Sequence, residues 1–301
     1  MYKYPLLVCS LIFGIISCTA QANKDGNVKT GQKAEGQSLT WKISGKGLQT
    51  PSYLLGTIHM ICKEDFFWTS AMQHALDKSE KVCMEMDLDD PALQMKVSMG
   101  LMLPAGKSLK DFFTEDDYEK VAQYIQDKMG MPMMIMEKMK PVALLTLMAS
   151  KNIGTCDDTE SYEAKIMKMA SESNKELIGL ESADDQLKVL ENMNIDSVTK
   201  YVVKTIEDNG KEASELLQQL TTAYKAQDLQ ALHQLIIQSK EYSANLDELL
   251  YDRNAKWIPV MEETMKAQPT LFAVGAGHLW GEKGVIDLLR SQGYTVEPLM
   301  D

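Results

Sequence analysis

Apolar residues at the two ends of the chain occur in short runs of strand length. Near the amino-terminal end, "SLTWKISGKGLQTPSYLLGTIH" (38–59) holds two such runs joined by glycines, which predicts two strands. Near the other end, "TLFAVG" (270–275) predicts a buried strand. A helix, "GEKGVIDLLRSQG" (281–293), and a last strand, "YTVEPL" (294–299), are predicted after it. We therefore expect a central mixed α/β sheet built from both ends of the chain.

In the middle of the chain, apolar residues recur with the period of an α-helix. The stretch "TEDDYEKVAQYIQDKM" (114–129) places them at positions i, i+3, i+4, i+7 and i+11, behind Thr114 as a plausible cap. Three further stripes of this kind follow, at 197–206, 216–224 and 229–236. A short strand is predicted at 176–181. We expect a large helical insertion at about 91–268, between the two parts of the sheet.

A third strand is predicted at "KVCMEMDL" (81–88), after a short helix at 69–80. Its even-numbered positions are apolar, whereas Glu85 and Asp87 lie at odd-numbered ones. Such alternation is typical of a strand with one buried and one solvated face. One predicted face holds Val82, Met84, Met86 and Leu88, and the other holds Cys83, Glu85 and Asp87.

The first residues have the character of a targeting segment. Lys3 supplies a positive charge before the apolar run "PLLVCSLIFGII" (5–16), which is short for a membrane span. Two cleavage sites are compatible with it. "IISC" (15–18) is similar to a bacterial lipoprotein signal, in which Cys18 carries the lipid, whereas "AQA" (20–22) suits an ordinary signal peptidase. Both alternatives predict export.

The lipoprotein alternative divides the chain into three parts. Residues 1–17 are the signal peptide, 18–37 a polar tether of flexible composition, and 38–301 a single domain. We expect an exported lipoprotein of the cell envelope, bound to a membrane through the lipid on Cys18. Secretion or a free periplasmic protein is the other outcome.

Net charge excludes one class of function. The chain carries 31 Lys and Arg against 43 Asp and Glu, a net charge of -12. Nucleic-acid binding depends on clustered Lys and Arg, so we expect no nucleic-acid partner.

Three cysteines remain outside the signal: Cys62, Cys83 and Cys156. An odd number in an exported protein permits one disulfide and one free thiol. A Cys62–Cys83 bridge is one alternative, and three buried thiols are the other.

Two of the four histidines follow an apolar run in the same Gly-x-x-His pattern. The first is Gly56 with His59, the second Gly275 with His278, where Gly277 directly precedes the histidine. Glycine permits close approach of another group to the backbone. Ligands of open α/β sheets collect at the carboxyl ends of strands, so we expect both histidines in one site. His74 and His233 lie in predicted helices and are assigned no function.

Glu85 is the candidate third ligand. Two imidazoles and one carboxylate are a common open set of ligands for a catalytic metal, which would polarise a carbonyl group and acidify a water molecule. The alternatives are that Glu85 acts as the general base, or that it belongs to a solvated strand face.

Arg253 lies on the apolar stripe of "LDELLYDRNAKWIP" (246–259), four residues before Trp257. A charge on an inward face needs a partner, either a carboxylate or an anion that develops during a reaction. Glu181, at the end of the strand predicted at 176–181, is the candidate carboxylate or an orienting partner of a histidine. A structural ion pair is the alternative.

The methionine-rich run "MGMPMMIMEKM" (129–139) is a further candidate feature. Thioethers can bind Cu(I), but adaptable packing in a core or groove is the interpretation we favour.

Five segments, in order, resemble the TraB/GumN family, which includes the Tiki metalloproteases. They are "SYLLGTIHM", "VCMEMDL", "LESADDQL", "YDRNAKW" and "LFAVGAGHLWGEKGVIDLLRSQGYTVEPL". The resemblance extends from about 40 to 300 and implies an α/β hydrolase-like domain without a serine nucleophile. The family positions that this sequence retains are Gly56, His59, Glu85, Arg253, Asn254, Gly275 and His278.

The same resemblance implies a metal-dependent hydrolase, namely a peptidase acting on a peptide or protein. The cofactor it implies is a divalent metal such as manganese, cobalt or zinc, held by the two histidines and the glutamate. The alternative function is a non-catalytic lipoprotein of the same fold that binds a metal, haem or a peptide.

Lipidation at Cys18 is the first testable prediction. Cys18→Ala should release the protein from the membrane fraction, because it removes the residue that carries the lipid. Fractionation and mass spectrometry of the mature amino terminus measure this, and an unmodified amino terminus at Asn23 would contradict it.

Overall fold

The computed structural model describes residues 37–152, 156, 158–239 and 246–301. The predicted signal peptide, Cys18 and the tether up to residue 36 lie outside the described residues. Within the described ranges, no helix combines the length and apolar character needed to cross a bilayer.

In the described part of the chain, eight strands form a six-stranded sheet and a separate strand pair. They are β1 Thr40–Gly45, β2 Ser52–Thr57, β3 Ile61–Cys62, β4 Lys81–Met84, β5 Thr159–Glu160, β6 Glu176–Gly179, β7 Thr270–Gly275 and β8 Tyr294–Pro298. The order in the large sheet is β6-β4-β7-β2-β1-β8, and β3 pairs with β5. Strands β6, β4, β7 and β2 are parallel, whereas β1 is antiparallel to both its neighbours.

The two ends of the chain meet in the large sheet, as the sequence predicts. Strands β2 and β7 are adjacent and parallel, with Gly56 opposite Val274 and Thr57 opposite Gly275. The predicted mixed α/β sheet is therefore confirmed, and both Gly-x-x-His segments leave it at the same edge.

Helices account for most of the middle of the chain. The α-helices described are α1 Ser70–Lys78, α2 Leu93–Gly100, α3 Glu115–Tyr124, α4 Met133–Met136, α5 Pro141–Asn152, α6 Tyr162–Glu172, α7 Ala183–Asn192, α8 Ile195–Glu207, α9 Lys211–Lys225, α10 Leu229–Gln238, α11 Asp252–Ala267 and α12 Val285–Ser291. Helices α2 to α11 lie between β4 and β7, but this region also contributes β6 to the sheet and β5 to the strand pair.

Strand β4 differs from its prediction. It ends at Met84, and Val82 and Cys83, which point to opposite faces, are both fully buried. Because β4 is parallel to both of its neighbours, and the crossovers that join parallel strands pack on the faces of a sheet, both of its faces are covered. The alternative of a solvated strand face for Glu85 is therefore wrong, and Glu85 is the first residue after the strand.

Two hydrophobic clusters stabilise the fold. One surrounds the sheet and includes Trp41 and Phe272, and the other lies among the inserted helices. The methionine-rich run belongs partly to the second cluster, where Met129 and Met136 are buried, whereas Met134 is exposed. Core packing is therefore the role of its buried members.

One disulfide joins Cys62 to Cys156, and Cys83 is a free, buried thiol. The alternatives of a Cys62–Cys83 bridge and of three free thiols are therefore both wrong. Cys83 lies inside the central strand β4, whereas the pairing of β3 with β5 brings the segment of Cys156 beside Cys62. The disulfide ties the loop that follows His59 to the chain entering α6.

The disulfide gives the second prediction. Cys156→Ser should lower the free energy of unfolding by about 2–4 kcal/mol, because the unfolded chain gains freedom. Denaturant unfolding measures this. Thiol alkylation of the native protein followed by peptide mapping should find Cys62 and Cys156 linked and Cys83 unmodified. A Cys62–Cys83 peptide would contradict the assignment.

Candidate active site

Four residues of the site follow four parallel strands at the same edge of the sheet. His59 follows β2, Glu85 follows β4, Glu181 follows β6 and His278 follows β7. The carboxyl edge of a parallel sheet is where such folds bind ligands. Arg253 enters the same place from α11. The fold thus brings these five predicted side chains to one edge of the sheet.

The glycines of the two Gly-x-x-His segments permit close packing. A Cβ on Gly56 would lie 3.1 Å from the Cβ of Ala276, so the segment of one histidine rests on the other. The Gly275 N–H donates to Glu85 Oε1 at 2.8 Å, and a Cβ there would lie 3.3 Å from that oxygen. Gly277 packs against α10, where a Cβ would meet a side chain at 2.7 Å. Close approach, as predicted, explains these three glycines.

Arg253 is buried and has an acceptor for each of its five N–H groups. Its Nε donates to Glu181 at 3.0 Å, and its Nη2 donates to Glu181 at 2.5 Å and to Glu85 Oε2 at 2.6 Å. Its Nη1 lies 3.0 Å from the Leu249 carbonyl oxygen and 3.2 Å from His278 Nε2. Since a guanidinium can only donate, His278 Nε2 is an acceptor here.

These hydrogen bonds distinguish two roles for Arg253, which are stabilising an oxyanion and orienting Glu85. Donation to an oxyanion would require one of the existing hydrogen bonds to break, whereas fixing Glu85 is what the guanidinium already does. Glu181 is the predicted carboxylate partner, and it binds Arg253 through both oxygens. The geometry favours Arg253 as the residue that orients Glu85.

His278 is held as a neutral imidazole. Its Nδ1 lies 2.6 Å from Asn254 Oδ1, and Asn254 Nδ2 donates to the carbonyl oxygens of His278 and Lys283. The amide oxygen is therefore the acceptor, and Nδ1 carries the proton. Burial lowers the pKa of His278 to about 3, with Arg253 adding to this effect and Glu85 opposing it.

His59 has a carboxylate partner that the sequence did not reveal. Its Nδ1 lies 3.1 Å from Glu163 Oε1, on α6. Thr57 Oγ1 donates to the same carboxylate at 2.9 Å and Ser161 Oγ at 3.0 Å. Burial lowers the pKa of His59, but the charge and the hydrogen bond of Glu163 outweigh burial, so the pKa is raised. The two histidines, alike in sequence, have opposite electrostatic environments.

Glu85 is held as an anion. Burial raises the pKa of this carboxyl group, but the Arg253 charge, the two histidines and the Gly275 N–H lower it to about 2. At neutral pH the ionised form is therefore the stable one.

Trp257 is a second residue that the sequence did not assign to the site. Its ring packs on His278 with centroids 4.5 Å apart, and the Arg253 guanidinium lies 4.8 Å above it. Its Nε1 donates to Glu181 at 3.0 Å. The spacing of four residues between Arg253 and Trp257 on α11 was the signal that places both on one helix face.

The donor set fits a divalent metal in chemical type. Glu85 is ionised, and His278 is neutral with its Nδ1 proton held by Asn254, as is usual for metal-binding histidines. Among the residues that the structure describes, however, no three His, Cys, Asp or Glu side chains are spaced as ligands of one ion. His59, Glu85 and His278 are thus suitable donors that the structure does not show gathered around one point.

Residues 39–298 match the TraB/PrgY/gumN family. The chain belongs to this family. Similar proteins are the metalloprotease TIKI2 of Danio rerio, 23% identical over 86% of this chain and 60% of that protein, and the human metalloprotease TIKI1, 25% identical over 88% and 63%. A metalloprotease TIKI homolog of Amphimedon queenslandica is 21% identical over 98% and 68%. The chain spans about three fifths of the length of the first two relatives, and no solved structure matches it.

The family match covers the candidate site as well as the sheet. The match from 39 to 298 includes all the strands and the whole site described above. Relatives named metalloproteases imply a metal ion for the family, without its identity.

His278 gives a prediction for the pH dependence of stability. Its pKa is about 3 in the folded protein and about 6.5 in an unfolded chain. Between these values only the unfolded chain binds the proton, so stability should fall as the pH falls from about 6.5 towards 3. For one proton the slope is about 1.4 kcal/mol per pH unit.

The variant His278→Gln should lack this contribution. Urea unfolding of both proteins, at several pH values and with a chelator present, measures the difference between the two curves. Other groups, such as Asp87 with its pKa raised by burial to about 6, cancel in that difference. Parallel curves from pH 6.5 to 4.5 would contradict a neutral, buried His278.

Proposed function

We propose that this protein is an exported, metal-dependent hydrolase that cleaves peptide bonds. The observation that carries the proposal is the convergence of His59, Glu85 and His278 at one sheet edge in a chain related to TIKI metalloproteases. These three side chains are the candidate ligands. Export and a lipid anchor at Cys18 are part of the proposal, and the Cys62–Cys156 disulfide supports export because disulfides persist in oxidising compartments.

The electrostatics of the site favour one role for Glu85. A general base works best with a pKa near the working pH, whereas the pKa of Glu85 is held at about 2. Glu85 is therefore better suited to be an anionic ligand than a base. A divalent metal held here would supply Lewis acidity towards a carbonyl group and a water molecule.

The other residues orient these donors. Asn254 keeps the proton of His278 on Nδ1, and Arg253 keeps Glu85 ionised and fixed. Peptide-bond hydrolysis adds a water oxygen to the carbonyl carbon and transfers a proton to the leaving amine. His59, whose side chain retains 18% exposure against 3% for His278, is the histidine that substrate can reach most directly.

Metal analysis of the purified protein, followed by a peptide-library assay with and without chelator, tests the proposal. Product masses that require the metal support a peptidase. A stoichiometric metal, haem or peptide without turnover would instead identify the binding lipoprotein, and a protein indifferent to metal and chelator would contradict both.

The fourth prediction separates ligands from orienting residues. His59→Ala and His278→Ala each remove an imidazole donor, so bound metal and peptide cleavage should fall together. Arg253→Lys removes no candidate ligand but cannot reproduce the planar guanidinium contacts. It should lower metal affinity or turnover by about 10–100-fold, the loss typical of a residue that orients a ligand, whereas each alanine variant should lose most of the bound metal.

His74→Ala is the matched control, since His74 lies on α1 against Tyr53, away from the site. Metal content by mass spectrometry, thermal melts and cleavage rates are measured for every variant. Full metal content in both site histidine variants would rule out the proposed ligand set.

A further inference from the structure

Glu163 is a buried carboxylate with an unusually specific set of contacts. It lies in the first turn of α6, 104 residues from His59 in the sequence, and only 7% of its surface is exposed. Its Oε1 accepts from Thr57 and lies against His59 Nδ1, and its Oε2 accepts from Ser161.

We propose that Glu163 is the positioning residue of His59. By accepting the hydrogen bond of Nδ1–H, it fixes the ring orientation and leaves Nε2 as the nitrogen presented to the site. The expected effect on catalysis rests on the proposed function, whereas the expected effect on the orientation of the His59 imidazole does not.

The comparison with His278 supports this role. The Nδ1 of that histidine is also held by a side-chain oxygen from a helix of the inserted region, Asn254 Oδ1 at 2.6 Å. Both histidines are thus fixed through Nδ1, and both direct Nε2 elsewhere. Hydrogen bonds from partners to the second ring nitrogen are how histidine ligands are oriented.

The surroundings of Glu163 hold it in place. Thr57 is the last residue of β2, and Ser161 is the N-cap of α6, donating its hydroxyl to Glu163 and accepting from the Ala164 N–H. The β3–β5 pair and the Cys62–Cys156 disulfide tie the chain before α6 to the loop after His59. Two independent connections therefore keep the carboxylate at the imidazole.

A purely structural role is the competing explanation. Through Thr57, Glu163 links α6 to the sheet, so its loss could reduce stability without any effect on the imidazole. The distinguishing observable is the tautomer of His59, because a neutral imidazole without a partner in water has no reason to keep its proton on Nδ1.

Nitrogen-15 NMR of the ring nitrogens reports that tautomer directly. In the metal-free full chain, at an alkaline pH where the ring is neutral, His59 should show a protonated Nδ1 and an unprotonated Nε2, with its signal assigned by its absence in His59→Ala. Glu163→Ala should shift the ring towards the Nε2–H tautomer, whereas Glu163→Gln, whose amide oxygen can still accept, should retain Nδ1–H. Glu172→Gln, an exposed position at the end of the same helix, is the matched control for charge.

Metal affinity and cleavage give the functional readout. Loss of such a partner lowers affinity or activity by about 10–100-fold, so Glu163→Ala should show this loss and Glu163→Gln should recover most of it. Glu163→Asp retains the charge but is one methylene shorter, and it should resemble Glu163→Ala in the NMR signal. It serves as the test if the alanine variant fails to fold.

The outcomes separate the two proposals. A folded Glu163→Ala or Glu163→Asp protein with an unchanged His59 tautomer would overturn the positioning role. A changed tautomer, in a protein whose wild type cleaves no peptide, would leave the positioning role intact and overturn the peptidase.

Discussion

The site depends on one buried guanidinium. Arg253 is 3% exposed and lies between the carboxylates of Glu85 and Glu181. Removing such charges from water costs roughly several kcal/mol per ion, which close ion pairing and hydrogen bonds of good geometry can offset. Here all five N–H groups have acceptors, so the arginine links α11 to the ends of β4, β6 and β7 at once. Glu85, Glu181 and His278 are therefore all held relative to α11 by this one side chain.

The same cluster explains why two identical motifs give two different histidines. His278 lies against Arg253 and a neutral amide, so its imidazole stays uncharged. His59 lies against Glu163, which favours the protonated ring. The Gly-x-x-His pattern specifies only the close approach of two backbone segments, and the partner on the inserted helices decides the chemistry of each ring. The inserted region therefore contributes side chains to the candidate site and does not merely cover it.

Sequence patterns could predict the parts of the structure that local physics determines. Strand-length apolar runs gave the sheet, and glycines before His59 and His278 gave the shared edge. The same reasoning could not find Glu163, because a glutamate in the first turn of a helix is ordinary by local criteria. It also left a solvated face of β4 open as an alternative, since alternation in four or five residues cannot reveal that both faces of the strand are covered. The Cys62–Cys156 pair depends on the β3–β5 contact, which spans nearly a hundred residues.

The hydrogen bonds of the site also indicate which contact would have to break when a cation binds. Each carboxylate oxygen has two acceptor positions, so Glu85 could bind a metal while keeping its bonds to Arg253 and Gly275. His278 Nε2 has a single lone pair, and Arg253 Nη1 now faces it at 3.2 Å. A metal at that nitrogen must displace the guanidinium contact, whereas the Glu85 and Glu181 contacts can persist. The contact between His278 and Arg253 therefore distinguishes two states. With the contact formed, the cluster of charges stabilises the fold; with it broken, His278 Nε2 can bind a metal.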